Sequence, residues 1–129
     1  MRIVKIAATW ILQILLGVLF VVLGAAKFGD PSWVRRFAEW GYPAGFYVVA
    51  GVPEIAGGLM VLVPRVASYG SLVIMTVMIG AALTHLTHGE IQRLSGPIVF
   101  LLIAAGVGWL RRNDARSPAR ARGRGQAVI

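Results

Sequence analysis

The sequence has no cysteine. That excludes disulfides, thiolate nucleophiles, thiolate-bound zinc and cysteine-ligated iron–sulfur clusters, so any redox role must rely on a bound cofactor or a partner. Charge is scarce as well: 14% of the 129 residues are Asp, Glu, Lys or Arg, and acidic residues number five against 13 Lys and Arg. No glycine-rich phosphate loop, nucleophile elbow, rhomboid-like serine–histidine set or metalloprotease motif occurs. What fills the chain is apolar. Hydrophobic residues make up 57% of it and the mean hydropathy is +0.75, well above a soluble domain of this size.

Four apolar stretches account for this composition, at about 6–28, 45–63, 67–88 and 91–110, the last with its most apolar part from Gly96. A helix of roughly 20 residues crosses a hydrocarbon core about 30 Å thick. The expectation is an all-α polytopic membrane protein, a four-transmembrane-helix bundle in one domain over residues 1–110. The first stretch, with Arg2 and Lys5 ahead of it and Gly24-Ala25-Ala26 near its end, has some features of a cleavable signal peptide. Its apolar run exceeds the usual 7–15 residues of such peptides, which favours a retained helix. Prolines border the second stretch at Pro43 and Pro64, where helices commonly start and stop.

Between the first two spans, residues 31–40 read as a short interfacial helix capped by Asp30 with Pro31 at its first position. Trp33, Phe37 and Trp40 fall on one face, and Arg35 and Glu39 are spaced to pair across a turn. Such a helix caps the bundle at headgroup level or serves as the lid of a hydrophobic pocket. Residues 111–129, rich in Arg, Ala, Gly, Ser and Pro, carry no apolar period and read as a basic disordered tail. The formal charge of +8 therefore points to topology and anionic lipid rather than to nucleic acid, for which neither interleaved aromatics nor a binding module is present. Basic residues at the N-terminus, at Arg65 and after Leu110 place both termini in the cytoplasm. Arg35, Arg36 and Arg93 on the other side run against that rule.

The ionisable residues inside the apolar stretches carry the functional information. A charge at the bilayer centre costs about 2.5–3.5 kcal/mol even on the lenient insertion scale, so such residues normally face the bundle interior with a partner. Gln13, Gly17, Gly24 and Lys27 share one face of the first helix, and Ala50, Glu54, Gly57 and Gly58 make a similar strip on the second. Small residues admit a neighbouring backbone, which puts Glu54 inside; Pro53 frees a carbonyl beside it. Lys27 and Glu54 differ in depth, since Lys27 is near the end of its helix and Glu54 near the middle of its own. Snorkelling to the headgroups is the competing role for Lys27; a structural acid tying helices together is the competing role for Glu54. His85 and His88, at i, i+3 near Glu90, fit interfacial hydrogen bonding better than metal binding, and no metal is expected.

Several segments in order resemble the DoxX and DoxX-like family of small four-helix inner-membrane proteins: residues 16–20 running on to 24–28, Trp40-Gly41-Tyr42-Pro43, residues 54–65 and residues 78–85. The resemblance implies a bacterial inner-membrane protein, with the family's recurrent positions at Gly24, Lys27, Glu54, Gly58 and His85. It also implies the company of membrane redox or oxidative-stress systems, since the family takes its name from a subunit of a thiosulfate:quinone oxidoreductase and its wider relatives include bundles that hold lipophilic ligands.

The reading favoured by the residues is an accessory or ligand-binding subunit that holds a quinone or other lipid. Gln13, Lys27, Glu54 and His85 are the ligand-binding candidates, and Trp33, Trp40, Tyr42 and His88 the mouth of the pocket. The expected partners are membrane lipids, a hydrophobic small molecule, and further copies or other membrane subunits. A purely structural assembly partner and a small proton-coupled transporter are the alternatives. An autonomous enzyme is the reading these residues favour least.

Overall fold

In the computed structural model, which describes residues 2–115, the chain is all-α. Helix α1 spans Arg2–Gly29, α2 Pro31–Glu39, α3 Phe46–Val61 and α4 Ala67–Thr87. A 3-10 turn at Ile91–Arg93 leads into α5, Ser95–Leu110, and a last turn, α6, covers Arg112–Ala115. Helices α1 and α4 and the segment Ile91–Leu110 are long and apolar enough to cross a membrane, and α3 is a shorter apolar helix. The chain is thus a polytopic membrane helical bundle. At 16 residues α3 is about 24 Å long, short of a core of about 30 Å.

Helix α3 lies between α1 and α4, and α4 packs in turn on α5. Glycines explain the closeness of the first contact. A Cβ built on Gly24 would stand 2.8 Å from the Gly51 carbonyl oxygen, and one on Gly58 2.7 Å from that of Gly17, so the two backbones touch at both places. On its other side α3 meets α4 the same way, since a Cβ on Gly70 would stand 2.7 Å from the Val61 amide nitrogen. Leu16, Phe20, Val61, Ile74, Met78, Ala104 and Val107 form the apolar core.

The turns obey local chemistry. Asp30 caps α2, its carboxylate accepting from the Ser32 amide at 2.9 Å, and that amide holds the Asp30 carboxyl below its ordinary range. Gly45 starts α3 with φ +84°, a left-handed conformation that strains residues with a Cβ. Pro53 sits inside α3 without ending it.

Two expectations are corrected. Arg35 and Glu39 form no ion pair among the described residues; both are exposed, and Arg36 instead lies over the Trp33 ring at 4.8 Å. The basic tail does not become irregular at Arg111, because Arg111 turns back into the bundle and α6 follows; residues 116–129 lie outside the described residues.

Candidate functional site

Lys27 donates to Glu54 Oε2 at 2.7 Å, with both side chains buried. By the register of the glycine contacts Lys27 lies opposite Val48, six residues from Glu54, a gap of about 9 Å along the axis. The helices run antiparallel and each Cβ tilts toward its own helix N-terminus, so the Lys27 and Glu54 side chains lean toward each other and close the gap. Lys27 therefore does not snorkel. Its ammonium also lies 4.2 Å from the centre of the Trp33 ring, a cation–π contact strengthened by the burial of Lys27. Wherever the shared proton sits, the pair is neutral as a whole, which makes it tolerable in an apolar bundle.

The pair lies in the wall of a cavity of about 340 Å3 at the α2 end of the bundle. Leu23, Val49, Ala50, Val77, Met78 and Phe100 supply apolar walls; Lys27, Glu54, Thr84 and His85 add polar atoms; Trp33, Arg36, Phe37, Trp40 and Tyr42 form the cover. A mostly apolar concavity with a few convergent polar groups is the usual form of a small-molecule site.

Helix α2 is fastened over this cavity. Phe37, its buried residue, packs edge-on to Trp40, Tyr42 and Phe46 with centroids 5.6, 6.0 and 5.4 Å away. The Trp40 indole N–H donates to Glu90 Oε1 at 2.8 Å, and Arg93 pairs with the other Glu90 oxygen at 2.8 Å. That indole bond, joined by His85 and Arg93, holds the Glu90 carboxyl below its ordinary range. The Tyr42 and Thr84 hydroxyls are 2.5 Å apart.

The structure brings Lys27, Glu54, His85, Trp33, Trp40 and Tyr42 around one cavity. It places Gln13 elsewhere. Although Gln13 shares the Lys27 face of α1, it lies toward the opposite end, where Arg111 Nε donates to its Oε1 at 2.8 Å and the guanidinium stacks on Trp10 at 4.7 Å. Gln13 Nε2 has no partner among the described residues. His88 does not line the cavity either; its ring nitrogens lie 2.8 Å from the Thr84 carbonyl and 3.0 Å from that of Trp40, tying α4 to the end of α2.

Sequence reasoning overlooked Gly51, Glu90 as the anchor of Trp40, and Arg111. The seven-residue spacing shared by Gly17–Gly24 and Gly51–Gly58 was a usable signal for the first. Nothing local marks the other two, since their partners are remote in sequence.

The DoxX-like family model matches residues 11–107, which take in α2, α3 and α4 whole, α1 from Ile11 onward and α5 as far as Val107. No curated protein and no solved structure shows significant similarity to the chain.

Proposed function

The chain belongs to the DoxX-like family, and from that premise we propose that it binds a lipophilic small molecule, of quinone or related isoprenoid type, as an accessory subunit of a membrane redox or oxidative-stress system. The observation that carries the reading is the buried Lys27–Glu54 pair in the wall of a cavity of about 340 Å3. An ion pair whose only purpose is to fasten helices gains little over apolar packing, because desolvation offsets its attraction. A polar pair facing a cavity does more: it orients the oxygen of a bound head group while the apolar walls take the rest. In this reading Lys27 and Glu54 hold the head group, His85 lines the side, and Trp33, Trp40 and Tyr42 close the mouth.

The membrane is the bacterial inner membrane, with both termini in the cytoplasm. Arg2, Lys5, Arg65, Arg111 and Arg112 support that orientation.

Purification from native membranes in mild detergent, followed by mass spectrometry of the extract, tests the binding. A single lipophilic molecule at stoichiometric level, depleted in Glu54→Gln, is the expected result. Bulk phospholipid alone, equal in both proteins, would overturn it.

One observation favours the assembly role as a second reading. The first seven residues of α1, Arg2 to Ala8, are all exposed, Ile3, Val4 and Ile6 among them. Cross-linking in native membranes through that segment would give a defined neighbour if this reading is right.

A further inference from the structure

Helices α4 and α5 touch closely at one end and carry glycines with free space beside them toward the other. Near the end that holds Arg111, Ser68 Oγ donates to the Gly108 carbonyl at 2.8 Å, and a Cβ on Gly108 would stand 3.1 Å from that of Ser71. Toward α2 the glycines meet no such neighbour. Gly80 of α4 and Gly96 of α5 both line the cavity, yet a Cβ on either would meet nothing within 4 Å. Gly80 is exposed although it lies within an apolar helix. Glycine inside a helix is less favourable than alanine, and close packing does not explain this one. What these two residues leave is space beside the cavity.

A second observation concerns the cavity's polar end. Glu54 is 4% exposed; its Oε2 is taken by Lys27, and its Oε1 makes no hydrogen bond among the described residues. Oε1 is not among the sealed, unpartnered polar atoms, and Glu54 lines the cavity. A carboxylate oxygen accepts, so its missing partner is a donor. The Lys27 ammonium donates to the other oxygen and lies against the Trp33 ring.

We propose that the cavity opens sideways between α4 and α5 and takes a membrane-resident amphiphile whose hydroxyl donates to Glu54 Oε1 while its chain trails into the lipid past Gly80 and Gly96. The inference rests on the ligand-binding reading above and adds the head-group chemistry and the route. A volume of about 340 Å3 is near the lower limit for small-molecule sites, so it takes a ring and the first carbons of a chain; a longer chain has to leave, and the gap gives it a path that breaks no helix hydrogen bond.

Binding to the purified full chain in lipid nanodiscs tests this, with three probes: a short-chain prenyl hydroquinone, its long-chain homologue and the O-methylated long-chain compound. Gly80→Phe and Gly96→Phe put a ring beside the cavity from positions where a Cβ meets nothing within 4 Å; Gly106→Phe, whose Cβ is equally free but which lies outside the cavity, is the control, and circular dichroism verifies each fold. The expected result is a loss of about tenfold or more in long-chain affinity for both cavity variants, with a smaller loss for the short-chain probe and none for Gly106→Phe. The methylated probe binds the unaltered chain at least about tenfold more weakly. Unchanged long-chain affinity in both Phe variants overturns the side entrance alone, and equal binding of the methylated probe overturns the hydroxyl contact alone. If the unaltered chain binds none of the probes, the ligand-binding reading falls with the inference.

Discussion

Lys27 and Glu54 show how a buried pair constrains substitution. Replacing Lys27 by Met leaves a carboxylate without its cation in an apolar bundle, a change that typically costs about 3–5 kcal/mol. Thermal unfolding in detergent should show that loss, and the Lys27→Met/Glu54→Leu double variant should recover most of it; equal losses in single and double variants would mean that the two residues act independently. Glu90 gives a pH dependence of defined sign. Its carboxyl lies below the ordinary value of 4.5, chiefly because the Trp40 indole N–H donates to it. A depressed carboxyl contributes stability that is complete above the ordinary value and lost as pH falls through the lower folded value. Acidification below 4.5 should therefore loosen the end of α2, read as a change in tryptophan emission, and Glu90→Gln should abolish that titration.

At the scale of helices, two kinds of glycine behave oppositely. A Cβ on Gly58 would stand 2.7 Å from the Gly17 carbonyl oxygen and 2.9 Å from the Val21 amide nitrogen, and backbone atoms cannot step aside. Gly58→Leu must push α1 and α3 apart, and an overpacked contact of this kind costs about 1–3 kcal/mol or more. Gly106→Ala places its methyl in open space and should stabilise α5 by up to about 1 kcal/mol through helix propensity. Thermal unfolding of the two variants reads both signs. The helix faces themselves were legible in the sequence: Gln13, Gly17, Gly24 and Lys27 are all buried, as are Glu54, Gly57 and Gly58, while Ala50 of the same strip is half-buried and lines the cavity. Which helix each face meets was not, because periodicity defines a face and says nothing of its neighbour.

For the whole molecule, the lack of cysteine makes orientation directly measurable. A thiol introduced by Gln92→Cys, in the connection between α4 and α5, should react with an impermeant reagent added to intact cells, whereas Arg2→Cys should react only after the membrane is opened. The reverse pattern would invert the proposed topology. The N-terminal half of α1 and the end of α5 do belong to one end of the bundle, since Arg111 at the end of α5 reaches back to Trp10 and Gln13.

The sequence by itself determined the class of solvent, the apolar helices, the covering helix with its Asp30 cap, and the small-residue faces, because each follows from composition or from a period within one segment. Tertiary structure alone decided the rest. Lys27 and Glu54 meet because antiparallel packing turns their tilts toward each other, Gln13 is drawn away to Arg111 by a residue 98 positions later, and Trp40 is anchored by Glu90 from 50 positions away. The cavity exists only where residues of α1, α2, α3, α4 and α5 come together around it. A local pattern sets which atoms a helix offers, and only the packing of the other helices sets which of them remain unpartnered.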